Sequence, residues 1–107
     1  MSTASRPQPV SADPVKVDPK HYKVEMENDR VRVLRITYGP REKSVMHSHP
    51  DGLAVFLTES SGRFTFPDGR SEDRSWSAGQ TMFMPAETHL PENLTDQPLE
   101  VVLVELK

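Results

Sequence analysis

RFTFPDGRSEDRSW, residues 63–76, is two extended runs folded about one turn. Phe64 and Phe66 alternate with Arg63 and Thr65, so both rings leave one face of a short strand. Pro67, Asp68 and Gly69 then supply turn chemistry, and Ser71–Trp76 returns as a polar, exposed partner. Outward from this hairpin the same grammar repeats. The five glycines, at 39, 52, 62, 69 and 79, all sit in polar clusters seven to thirteen residues apart. Short strands punctuated so regularly predict an all-β sandwich or barrel.

Upstream, Tyr22, Val24 and Met26 alternate with Lys23, Glu25 and Glu27, the pattern of a strand with one wet face. In RVRVLRITY, residues 30–38, the apolar set changes parity between Val33 and Leu34, which requires either a bulge or cover on both faces. Arg30, Arg32 and Arg35 read as a solvated strand face. Downstream, LEVVLVELK, residues 99–107, is apolar on both faces at its centre and predicts a strand covered on both sides. No stretch shows a helical stripe. The expectation is a single small jelly-roll β-barrel over residues 19–107, preceded by a mobile proline-rich arm over residues 1–18.

Composition excludes several functions. Net charge is −3 with acids and bases interspersed, so no basic footprint for nucleic acid is present. No run approaches the length of a membrane span, and the N-terminus lacks a basic start followed by an apolar stretch, so a cytoplasmic location and no membrane partner are expected. Cysteine is absent, which removes disulfides, thiolate ligands and thiol nucleophiles. Any metal chemistry falls to histidine and carboxylates.

Three of the four histidines supply it. In VMHSHP, His47 and His49 stand at i and i+2 and leave one face of a strand, and His89 lies forty residues further on in GQTMFMPAETHLPEN. Three imidazoles meeting at one point would hold one divalent transition metal (Fe, Zn, Ni, Cu or Mn) and leave coordination positions for water or a small-molecule substrate. Asp51 follows His49 by two residues but sits in a turn marked by Pro50 and Gly52. Glu87 precedes His89 by two residues, and is either a partner that orients His89 or a tentative catalytic base. His21 shows no ligand signal. Met82 and Met84 read as packing, Phe56, Phe64, Phe66, Phe83 and Trp76 as core or cavity wall, and Asn93 as a brace for the loop after His89.

Gly39, His47, His49 and Gly62 resemble the first motif of the cupin superfamily, and Gly79, Pro85, His89 and Asn93 resemble its second, over roughly residues 30–105. Two departures stand out. Besides a longer spacer after Gly39, Glu87 replaces the second-motif glycine, and the spacing from Pro85 to His89 is one residue shorter than the family's. The first-motif glutamate would fall at Leu53 or Ala54, neither of which binds metal. The resemblance therefore implies an all-histidine cupin site, which in some members serves oxygen-dependent chemistry on small molecules. Three neutral imidazoles leave the ion's +2 charge uncompensated, which favours a chelating or anionic substrate.

The leading expectation is a dioxygenase-like metalloenzyme. The alternatives are a metal-dependent isomerase or lyase and a non-catalytic module that binds or senses a small metabolite. A homodimer is also expected, covering the outer face of the last strand, with Val10, Val15 and Val17 of the arm lying across the neighbouring subunit.

Overall fold

Strand alternation sorts this chain into two antiparallel layers. The computed structural model describes residues 12–107, and among them runs one short helix, α1 (Pro14–Val17), followed by nine strands. These are β1 (Tyr22–Glu27), β2 (Val31–Tyr38), β3 (His47–His49), β4 (Gly52–Phe56), β5 (Ser60–Thr65), β6 (Ser71–Trp76), β7 (Thr81–Met84), β8 (Glu87–Asn93) and β9 (Leu99–Leu106). One sheet has the order β1-β2-β9-β4-β7 and the other the order β3-β8-β5-β6. The all-β jelly roll expected from the glycine spacing is the fold observed.

The core lies between the sheets. Leu34, Ile36 and Tyr38 of β2, Val101 and Leu103 of β9, and Ala54 and Phe56 of β4 point inward from one layer, and Phe64 and Trp76 answer from the other. Phe56 and Trp76 stack at 4.4 Å. The hairpin of residues 63–76 forms as read, with Phe64 opposite Glu72 and a turn closed by the Gly69 N–H donating to the Phe66 carbonyl. Gly69 takes φ +90, a conformation that favours glycine. β9 is central, paired with β2 on one side and β4 on the other.

Several expectations change. β2 is unbroken, and the parity switch at Val33 reflects two faces, with Leu34 inside and Val33 on the outer side of the sheet. The register shift falls in β1 instead, between Val24 and Met26, so only Tyr22 of that strand is buried. Phe83 is not core: it is 49% exposed on the outer face of edge strand β7. Arg32 is not a solvated face residue. It donates two hydrogen bonds to Asp13 and one to the buried Glu105.

The expected arm divides. Residues 1–11, including Val10, lie outside the described residues. Residues 12–18 are docked on the barrel: Asp13 caps α1 by accepting from the Val15 N–H, Pro14 is fully buried, and Val15 packs on this chain's own core. The Ser48 N–H donates to the Ala12 carbonyl, fixing this segment beside β3. This part of the expected arm is thus seated on the barrel, because Asp13 finds the half-buried Arg32 and Asp18 the buried His21 and Ser44, partners that composition does not reveal. No helix among the described residues is long and apolar enough to cross a membrane.

Candidate metal centre

A three-residue strand sets the site. β3 pairs with β8 so that His47 faces His89 and His49 faces Glu87, putting all four side chains on one face of the ladder. The imidazole centroids lie 4.8 Å (His47–His49), 5.1 Å (His47–His89) and 5.2 Å (His49–His89) apart, with the rings steeply inclined to one another. One ring nitrogen from each histidine lies within 4.8 Å of the others. His47 is fully buried and His89 nearly so.

Each ring is held by its Nδ1. His47 Nδ1 donates to the Val45 carbonyl at 2.8 Å, His49 Nδ1 to Glu105 Oε2 at 2.8 Å and His89 Nδ1 to Glu87 Oε1 at 2.6 Å. A donating Nδ1 fixes the tautomer and leaves the lone pair on Nε2. Thus three acceptor nitrogens remain at the centre of the cluster, and His47 Nε2 is buried without any hydrogen-bond partner. An orphaned buried acceptor is costly unless something positive meets it.

Electrostatics favour the neutral, ligating form. Burial, reinforced by repulsion from His49 and His89, pushes His47 down to about 3. Burial also lowers His89, outweighing the opposite pull of Glu87. Burial alone would raise Glu87, but hydrogen bonds from His89 and Arg74 prevail and hold it at about 2. The carboxylates behind the rings are themselves anchored. Arg74 grips Glu87 at 3.1 and 3.2 Å while lying over the Phe64 ring, and Arg32 bonds Glu105 at 2.9 Å.

Behind His47 runs a buried polar chain. Ser44 Oγ lies 3.4 Å from His47 Nδ1 and donates to Asp18 Oδ2 at 2.5 Å, and Asp18 also bonds His21 Nδ1 at 2.8 Å. His21 Nε2 meets Glu42 Oε1 at 2.9 Å, and the ring stacks on Tyr38 at 4.4 Å. His21 is thus a structural histidine, outside the cluster of three.

The residues singled out in the sequence divide accordingly. His47, His49 and His89 converge, and Glu87 reaches the cluster through His89. Asp51 does not: its carboxylate accepts from the Ala86 N–H at 2.8 Å and ties two turns together. Asn93 braces the following loop, donating to the Gly39 and Gln97 carbonyls. Met82 packs inside as acceptor for the Trp76 indole N–H. Glu105 went unread, because alternation in LEVVLVELK marks it as inward but gives no partner. Its parity with Val101 and Leu103 was the available signal.

The donor set fits a divalent transition metal. All three ligand atoms are neutral imidazole nitrogens with hydrogen-bonded partners behind them. Ligands at about 2.1 Å from one tetrahedral ion would stand about 3.4 Å apart, so a cluster whose nitrogens lie within 4.8 Å of one another would draw together by up to roughly 1.4 Å on loading.

No protein-family model matches the sequence, and no curated protein matches it. Solved structures do. A cupin domain from Bordetella pertussis Tohama I is 25% identical, with TM-score 0.74 over 80% of this chain and 91% of that one. An RmlC-like cupin with a double-stranded β-helix fold from Methanocaldococcus jannaschii is 18% identical, with TM-score 0.60 over 83% of each chain. Oxalate oxidase in complex with the substrate analogue glycolate is 18% identical, with TM-score 0.53 over 69% of this chain and 40% of that one. Two antiparallel sheets around a cavity, with the two-motif histidines brought together, define a cupin. The chain is a small member of the cupin superfamily.

Proposed function

We propose that this cupin is a small-molecule metalloenzyme in which His47, His49 and His89 hold one divalent transition metal through Nε2. The observation that carries the reading is the set of three Nδ1 hydrogen bonds, which leaves each ring's lone pair on Nε2 in a cluster with ring nitrogens within 4.8 Å of one another, that of His47 buried and unpartnered. The metal would supply Lewis acidity, or dioxygen activation if redox-active. Three protein ligands leave positions open, which supports catalysis over a purely structural role.

Dioxygenase-like chemistry is the form we favour, on a fold that also serves an oxalate oxidase. A metal-dependent isomerase or lyase would use the same polarising ion. Glu87 is the residue through which the chain tunes this centre. Held ionised by His89 and Arg74, it is a weak base, so orienting His89 suits it better than abstracting a proton.

The test is elemental analysis of protein purified without added metal. About one ion per chain is expected, lost in His47→Ala, His49→Ala and His89→Ala alike. Metal-free protein whose stability ignores strong chelators would overturn the assignment and leave a metabolite-binding barrel.

A second copy is the partner this reading includes. Met26, Val33, Val104, Leu53 and Phe83 stand in register across all five strands of the larger sheet, on its outer face. Met26, Leu53 and Phe83 are 47%, 46% and 49% exposed. Arg35, paired with Glu25 and Glu100, borders the row with charges of both signs, which two copies can satisfy reciprocally.

A further inference from the structure

Beside the three imidazoles lies a cavity of about 90 Å³, bordered by His49 and His89. Phe56, Phe64, Trp76, Leu99, Val101 and Leu103 supply much of its wall, together with Pro50, Pro85 and Pro91, whose backbone nitrogens carry no hydrogen to donate. No lysine or arginine among the described residues borders it. The volume is well below the roughly 150 Å³ of an apolar cavity that holds benzene in a well-studied engineered protein.

Most polar groups along this wall are already committed to the protein. The Tyr22 and Tyr38 hydroxyls bond each other at 2.7 Å. Ser60 donates to the Thr58 carbonyl, and the Trp76 N–H to Met82 sulfur. The Asn93 amide is taken by backbone carbonyls, and Glu87 by His89 and Arg74. The side chain of Glu92 follows outward strand parity, between the buried Pro91 and Asn93. Apart from the one hydroxyl proton that the Tyr22–Tyr38 pair leaves over, what remains to grip a ligand is the group of imidazole nitrogens at one side.

We propose, building on the metal-centre reading, that the molecule taken up here has one metal-binding head and an apolar body smaller than benzene, without charge or hydrogen-bonding groups at its far end. This narrows the substrate expected from charge alone. An anionic or chelating head remains compatible with a +2 ion, but dicarboxylates, amino acids and sugars carry a second polar end that would be buried against unresponsive walls. Burying such a group without a partner is unfavourable whatever the head contributes.

Three pyrazoles test the distal end, since each ligates through a ring nitrogen and a 4-substituent cannot chelate. Cobalt(II)-loaded protein is titrated with 4-methylpyrazole, pyrazole-4-carboxamide and pyrazole-4-carboxylate, following the visible cobalt bands. Each affinity is referred to that of the same compound for aqueous cobalt(II). The methyl compound is expected to bind at least about tenfold more tightly than either polar one, the low end of what an unpartnered buried amide costs. A carboxamide or carboxylate that binds equally well or better overturns the inference while leaving the metal centre intact. Failure to develop any protein-bound cobalt band overturns the metal reading itself, and this inference with it. In Met84→Lys, which adds a cation to the cavity wall, the carboxylate should gain at least about tenfold relative to the methyl compound. An unchanged order there, with cobalt bound, also counts against the inference.

Discussion

Truncating Glu87 to alanine separates orientation of His89, a ligand in the proposed metal site, from stability of the fold. The variant removes the acceptor for His89 Nδ1, at 2.6 Å, and one of two carboxylate partners of Arg74. His89 can then place its proton on either nitrogen, and whenever Nε2 carries it the ring cannot ligate. Loss of an outer partner of this kind typically weakens metal binding about 10- to 100-fold, or about 1.4 to 2.7 kcal/mol. The Arg74 pair contributes little to folding, because Glu87 is 27% exposed and Arg74 keeps Glu72; about 1 kcal/mol or less is expected. Glu87→Gln should fall between: its amide oxygen can still accept from His89, but its NH2 group then faces the Arg74 guanidinium. Glu72→Ala is the control, since it also contacts Arg74 but not His89. Competition against a chromogenic chelator gives the metal affinity, and thermal melts of metal-free protein give the stability. Affinity in Glu87→Ala within twofold of wild type, with the melt unchanged, would refute the claim that this carboxylate orients His89.

Three further outcomes follow from particular contacts. Glu42 is held down at about 2 by the Gly39 N–H, His21 and Lys20, so the stability it contributes is complete above pH 4.5 and is lost as pH falls toward 2; urea titrations should show the gap between wild type and Glu42→Gln shrinking across that window. A methyl group at Gly52 would meet the Val104 carbonyl oxygen at 2.7 Å, a backbone atom in the neighbouring strand. Gly52→Ala should therefore cost about 1–3 kcal/mol in denaturant unfolding, whereas Gly62→Ala, whose tightest contact is 3.3 Å, should cost less. Leu53→Lys combined with Phe83→Lys should shift sedimentation from dimer to monomer while the circular dichroism spectrum stays unchanged, and a monomeric wild type would remove the basis for this expectation.

The strands were legible because a barrel demands period two on every strand, and turn residues interrupt it at short intervals. Phe64, the Pro67–Gly69 turn and the centre of β9 could thus be placed without coordinates. Val24 and Met26 could not, since an edge strand with a bulge shows the same alternation as a half-buried one. Phe83 failed similarly: an aromatic ring between two methionines does not say which face the sheet covers. The three histidines were legible from spacing and from their match to two family motifs. Their supporting groups were not, because Glu105, Arg32 and Asp18 reach the site through pairings between distant segments that no local pattern encodes.

Arg32 joins two parts of the molecule that are usually considered separately. Its guanidinium spans Asp13, which caps the docked N-terminal turn, and Glu105, which steers His49. Undocking that turn would release two of the arginine's donors and loosen the platform on which one ligand of the proposed metal site is aimed. Reciprocity then requires an ion that tightens the His49–Glu105–Arg32 arrangement to protect residues 12–18 from proteases, making the seating of this turn a gauge of metal occupancy.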